Sequence, residues 1–395
     1  MDNDTPIGKR IAYYRNRIGM SQRTLAQLIG KSTVWLSKVE RGALLMDSIT
    51  VLHRLANILK VDIWQLMPKL GLPPNGGASL DPPNGIPAIR RSVFLDPRDS
   101  APPAREWLAG RVAYAERLIA DGRFHAVALL LPELVNAART FSASGGEPAG
   151  WGYLARTYIA ASSLARNVGE PELAWLTADR AVTAARRSDD PVLVASCVRM
   201  LGGALLHTGC FDEAGAVCSD GADALAPTDG SRLEVWSLWG SLKLSEAISA
   251  VRLEDPANAR RTLLDARTAA DRVGPGRNDY WEAFGPANVS AHEIAVALEA
   301  HDPLEALRVG DRLEVDDLPH PERRARVLID IARAHRLREN DGATVAALLE
   351  AERHAPEVVR HQALARELVR ICLHRARQSA TPGLSGLASR LAITD

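Results

Sequence analysis

The chain has 395 residues, 48 Lys+Arg against 48 Asp+Glu and 46% hydrophobic residues, a length that calls for two or more domains. Its best apolar run, Ala126–Leu131, is too short to span a membrane, and the Met-Asp-Asn-Asp start lacks the regions of a signal peptide, so a cytoplasmic location is expected. Cys197, Cys210, Cys218 and Cys372 show neither CxxC spacing nor a histidine at metal-finger offsets, so they read as reduced core thiols and neither metal nor cofactor is expected.

Charge is unevenly placed. Residues 1–70 carry 11 Lys+Arg against 5 Asp+Glu, and the remainder 37 against 43, so a head of +6 sits on a body of −6. A basic end suits a nucleic-acid partner whose binding weakens with salt. Arginine outnumbers lysine 42 to 6, which points to a GC-rich genome and warns against treating every arginine as functional.

In chain order, Thr5-Pro6 offers a cap followed by proline at the first helical position, and Gly19 ends that helix. Ser21 and Ser32 can cap a second and a third helix, with Gly30 and Gly42 closing them in the left-handed conformation. Leu25 and Ile29 form the apolar stripe of the second helix, and Leu36 and Val39 that of the third. Ala26 is small where the two must cross. Asp47 can cap a fourth helix, Ser48–Leu59, and Asp62-Ile-Trp-Gln65 has capping-box spacing for a fifth. The pattern over residues 21–42 is a helix-turn-helix, a unit that lays one helix in the DNA major groove.

Residues 7–67 resemble the XRE family, the DNA-binding domain of phage Cro and CI repressors. The matching residues are Ser21-Gln22, Leu25-Ala26, Gly30, Ser32, Leu36-Ser37, Val39-Glu40-Arg41-Gly42, Leu52, Leu55-Ala56, Leu59 and Val61. The resemblance implies that Thr33, Val34, Ser37 and Lys38 meet base edges, and that Gln22 lies on the backbone or an outer base. It also implies phosphate contacts for Arg10, Arg23, Lys31 and Arg41, which position without specifying, and a structural role for Glu40. Trp35 either touches DNA or braces the first motif helix. Ala43-Leu44-Leu45 departs from the family's basic residues and proline there, and suggests an apolar contact with a partner subunit or the second domain.

Between 71 and 104, repeated proline and glycine exclude helix interior and mark a linker, with one short helical turn expected at Ile86–Phe94. From 105 to 377 helix follows helix, with Pro and Gly at the joints and no strand-like alternation; residues 378–395 read as a tail. Small and bulky residues recur with tetratricopeptide spacing, best at Leu201-Gly202, Ala214, Cys218, Gly221 and Pro227. Copies recur every 38 to 47 residues, longer than the usual 34, and HEAT-like pairs stay open; either is an α-solenoid. The expected fold is all-α, a five-helix XRE-type domain followed by a tetratricopeptide-like solenoid.

The whole chain resembles actinobacterial XRE regulators with tetratricopeptide C-terminal domains, through Phe284–Val289, Glu322–His335 and Leu348–Pro356. More distantly it is similar to the peptide-sensing RRNPP regulators. Repeat positions that line a concave groove place Arg156, Arg166, Arg199, Asn288, Arg326, Arg333 and Arg336 inward. Arginine forks suit carboxylates, and an amide suits a peptide backbone. The groove then takes a peptide or small anionic ligand; the competing reading is solvated arginines paired with neighbouring carboxylates. Tyr280-Trp281-Phe284 either floors that groove or forms inter-repeat core.

No catalytic motif is present: there is no Walker loop, GxSxG or GxGxxG, and His292-Glu293 lacks the second histidine of a zinc-protease helix. No catalytic residue is assigned. The sequence therefore predicts a ligand-responsive regulator, expected as a homodimer on a two-fold double-stranded operator. The alternative is a scaffold in which the solenoid docks a protein and the helix-turn-helix localises it to DNA.

Overall fold

The computed structural model describes residues 6–44, 46, 49–61, 63–66, 85–95, 101–145, 147–376 and 382–393, and among these the chain is all helix and turn. The N-terminal unit is α1 (Ile7–Arg17), α2 (Gln22–Leu28), α3 (Thr33–Glu40), α4 (Ile49–Leu59) and α5 (Ile63–Leu66). Ser21 Oγ accepts from Thr24 N and Ser32 Oγ from Trp35 N, at 3.0 and 3.1 Å, so both serines close their helix starts. Gly19, Gly30 and Gly42 all take positive φ, where a Cβ would be strained. Leu25, Ala26, Ile29, Leu36 and Val39 meet Ile11, Leu55 and Leu59 in one core. One start differs from expectation: Pro6 is the N-cap residue of α1, not its first helical residue. Thr5, Asp47, Ser48 and Asp62 lie outside the described residues.

The body begins earlier than the expected 105. Helix α6 (Ile86–Phe94) falls at the helical turn anticipated in the linker, but it is not a free spacer. Ile86, Ile89 and Val93 are buried in the core of the body, because their i, i+3, i+7 spacing gives the helix an apolar stripe. Residues 67–84 and 96–100 lie outside the described residues.

Fourteen helices follow α6 up to residue 376 in antiparallel order: α7 (Arg105–Ala120), α8 (Phe124–Gly145), α9 (Pro148–Val168), α10 (Pro171–Ala185), α11 (Pro191–Thr208), α12 (Phe211–Leu225), α13 (Leu233–Arg252), α14 (Pro256–Val273), α15 (Pro286–Glu299), α16 (Pro303–Gly310), α17 (Pro321–Leu337), α18 (Asp341–His354), α19 (Pro356–His361) and α20 (Ala363–Ala376). Proline at N1 starts most of them, where its missing N–H costs nothing. Each helix packs on the next, and alternate helices α7, α9, α11, α13, α15 and α17 also pack on one another. Those alternate helices make an inner wall. Small residues permit the close crossings: a Cβ on Gly202 of α11 would lie 2.3 Å from Cys218 Sγ of α12. The expected tail is also helical in part. Helix α21 (Leu384–Arg390) buries Leu384, Leu387 and Ala388 against the end of the body.

The solenoid closes on itself. Helix α17 packs on α7, and α19 packs on α9. One core joins Leu131 and Leu164 near the start to Leu328 and Val358 near the end. His125 N donates to Glu357 Oε2 at 2.8 Å, and Arg326 Nη2 to Asn167 Oδ1 at 2.7 Å. A concave groove for a peptide or small anionic ligand was expected; the structure has a ring with an interior. Helix α11 is long and apolar enough to cross a membrane, contrary to the expectation that no segment is, and 56% of it is buried in the body.

Gly8 of α1 faces α3 so closely that a Cβ would lie 1.9 Å from the Val39 carbonyl oxygen. Gly8→Ala should therefore push the two helices apart and destabilise the N-terminal unit by about 1–3 kcal/mol. Thermal denaturation of the isolated transition checks this, and an unchanged midpoint would contradict the packing.

Candidate DNA-reading face and central cavity

Helix α3 is amphipathic in a useful way. Leu36, Val39 and Glu40 are buried, while Thr33, Val34 and Lys38 are exposed and Ser37 half-exposed on the other side. Val34 is 66% exposed. Arg23 and Arg41 are exposed, and Lys31 sits with its Nζ 5.9 Å from the centre of the Trp35 ring. Trp35 itself packs on the core of the unit.

Beneath that face lies a buried ion pair. Arg15 Nε and Nη2 donate to the two Glu40 oxygens at 2.6 and 2.9 Å. Gln22 Nε2 donates to the same carboxylate at 2.6 Å. Gln22, expected on DNA, thus holds Glu40 instead, because its amide faces inward across the turn. Arg10, expected on phosphate, is buried and donates to the Gln65 carbonyl. Arg15 was not foreseen; an arginine near a helix end carries no sequence mark of burial. Leu44 packs on its own unit's core, not on a second domain, and Leu45 lies outside the described residues.

The second feature is a cavity of about 430 Å³ inside the ring. Of the seven residues expected to line a groove, Arg166, Arg199, Asn288, Arg326 and Arg333 border this cavity, and Arg156 and Arg336 do not. Arg156 donates to Glu116 instead, through Nε at 2.7 Å. Arg336 lies about 80° around α17 from Arg326, at 3.6 residues per turn, and pairs with Asp341. Most of the lining arginines face carboxylates. Arg199 meets Glu282 at 2.5 Å, Arg333 meets Glu299 at 3.2 Å, and Arg326 pairs with Glu322. Asn288 accepts from Arg323 at 3.2 Å, so its amide is already engaged.

Two charges are different. Arg166 Nε is buried without a hydrogen-bond partner, and burial lowers its guanidinium to about 9. Asp330 enters no hydrogen bond or ion pair among the described residues, and burial raises its carboxyl to about 6. Asp330, Arg323 and the lining histidines His207, His292 and His320 were missed. Only the stripe Arg326, Asp330, Arg333 at i, i+4, i+7 could have marked them beforehand.

The chain at Tyr280–Ala283 closes one side. Tyr280 and Trp281 border the cavity, and Tyr280, Trp281 and Ala283 all hold positive φ, a strained run for residues with side chains. Tyr280 Oη donates to Asp190 Oδ2 at 2.7 Å, and Trp281 stacks on His320 with centroids 5.8 Å apart. Of the two readings open for this cluster, Tyr280 and Trp281 take the floor, while Phe284 takes the other and is core against Gly240. Met46 and Leu52 of the N-terminal unit border the same cavity, and Arg54 Nη2 pairs with Glu254 at 2.7 Å.

Residues 6–64 match the family described as a helix-turn-helix domain. The N-terminal unit is a helix-turn-helix domain, a DNA-binding module followed here by a helical solenoid-like body. Among solved structures, BtubC (BKLC) from P. vanneervenii is similar over 62% of this chain and 90% of that one, at 16% identity and a TM-score of 0.37. Bacillus thuringiensis PlcR, in complex with the peptide PapR7 and DNA, is similar over 84% of this chain and 97% of that one, at 12% identity and a TM-score of 0.38. No curated protein matches the sequence.

Burial holds His292, His320 and His361 down at about 4, against 6.5 for a free imidazole. Between 6.5 and 4 the unfolded chain takes up protons at these sites that the folded chain refuses, so stability present above 6.5 is lost as pH falls. Asp330, raised from 3.8 to about 6, acts oppositely, as do Glu170 and Glu367, also raised by burial, while His207 and His335, also held down by burial, add to the histidine side. The thermal midpoint should drop on acidification from about pH 7 to pH 4, and His292→Gln should flatten that drop. An equal slope in the variant would mean that His292 titrates normally.

Proposed function

We propose that this chain is a sequence-specific transcriptional regulator whose body senses a peptide or small anionic ligand and mediates dimerisation. The observation that carries the DNA half is the outward face of α3. Thr33, Val34, Ser37 and Lys38 project from a helix whose other side is locked by Leu36, Val39 and the Arg15–Glu40 pair. A helix fixed so firmly from behind can enter a major groove as a rigid reader. In this reading Lys38 approaches guanine acceptors and Val34 a thymine methyl. Arg23, Lys31 and Arg41 meet phosphates, and Gln22 positions Glu40 rather than touching DNA.

The sensing half rests on the charged cavity. Charge buried beside paired neighbours, yet itself unpaired, is costly unless something binds there. Met46 and Leu52 at the cavity wall give a bound ligand a route to the DNA-binding head. The ligand shifts DNA affinity only if it binds one arrangement of head and body better than another. A dimer follows from the short half-site that one such domain covers, with a two-fold operator as its mirror.

Selection of duplexes from a random pool by the purified chain, at near-physiological salt, tests this. A two-fold-symmetric motif should be enriched, and the Thr33→Ala/Lys38→Ala double variant should lose it. On the selected duplex, Lys38→Ala alone should weaken binding by about 1–3 kcal/mol with an unchanged thermal midpoint. Arg23→Ala, Lys31→Ala and Arg41→Ala should instead weaken all sequences alike, each lowering the salt slope by about 1. Failure of the folded chain to enrich any motif overturns the reading.

A further inference from the structure

Among the described residues that border it, the cavity holds one charge of each sign with no hydrogen bond or ion pair, Arg166 and Asp330. Arg166 on α9 and Asp330 on α17 both border the cavity, and the Arg326–Asn167 hydrogen bond that closes the ring joins the same two helices. Asn167 is the neighbour of Arg166 in the chain, and Asp330 lies one turn beyond Arg326. The two do not pair with each other, although the remaining cationic and acidic side chains around them are matched. Resting on the reading that the body senses a ligand, we propose that the cavity binds a compact zwitterion, an amino-acid-like molecule whose carboxylate meets Arg166 and whose ammonium meets Asp330.

The alternatives leave a charge uncompensated. A dicarboxylate satisfies Arg166 but places an anion near Asp330. A diamine does the reverse. A neutral ligand meets neither. Only a molecule carrying both groups meets both charges, which are half-buried, and leaves the balance of the ring unchanged. Both protein groups remain ionised at neutral pH, Asp330 at about 6 and Arg166 at about 9, so the pairing is charge against charge. Size agrees. About 430 Å³ lies near the lower end of ligand pockets, which run to about 1,000 Å³.

The test uses the full chain without DNA. Its thermal midpoint is measured with each free proteinogenic amino acid, with their N-acetyl and carboxamide derivatives, with succinate, and with putrescine. At least one free amino acid should raise the midpoint by about 2 °C or more at saturation. Its N-acetyl and carboxamide forms should not. Arg166→Gln and Asp330→Asn should each abolish the shift while still unfolding cooperatively. Should either variant fail to fold, the blocked derivatives on the unaltered chain decide the matter alone. Succinate binding that survives Asp330→Asn would reduce the cavity to an anion site and overturn the proposal. So would a response to blocked derivatives, or no response to any amino acid. None of these outcomes touches the DNA selection, which stands or falls separately.

Discussion

The contact between the first and last helices of the body sets the character of its interior. Where α17 and α19 meet α7 and α9, a row of helix pairs that would otherwise present an open concave face becomes a ring. Closure turns solvated arginines into partly desolvated ones. Each must then find a carboxylate, shift its proton equilibrium, or wait for a ligand. Arg199, Arg326 and Arg333 take the first course; Arg166 and Asp330 do not.

The same closure constrains how the two parts of the molecule communicate. The helix-turn-helix unit owns a complete core and a buried Arg15–Glu40 pair, so its reading face is rigid without help from the body. In the proposed reading, a ligand therefore acts on where the head sits rather than on its internal shape. Among the described residues, Met46 and Leu52 at the cavity wall and the Arg54–Glu254 pair bring head and body together. The Tyr280–Ala283 run holds backbone strain in that wall, kept in place by the Tyr280–Asp190 hydrogen bond and the Trp281–His320 stack.

Much of the local structure was legible in the residues. Serine caps, left-handed glycines and prolines at first helical positions act within a few bonds, so Ser21, Ser32, Gly30, Gly42 and Gly202 read the same in sequence and structure. Five of seven arginine and asparagine residues assigned to a concave face do border one cavity, because helical periodicity decides which way a side chain points. Arg156 and Arg336 escaped because their nearest carboxylates, Glu116 and Asp341, turned them aside. Gln22 and Arg10 escaped because their partners, Glu40 and the Gln65 carbonyl, are distant in the chain.

By itself the sequence determined the helices, their order, the helix-turn-helix and the apolar stripes, all consequences of propensity, capping and period. Tertiary structure alone decided that the solenoid is a ring, that α6 and α21 belong to its core, and which charges inside remain unmatched. Ring closure depends on contacts between residues more than a hundred positions apart, such as Asn167 with Arg326 and His125 with Glu357, and the burial of α6 and α21 on packing against α8 and α20. Whether a charge is free is a property of everything packed around it, and no local pattern carries that information.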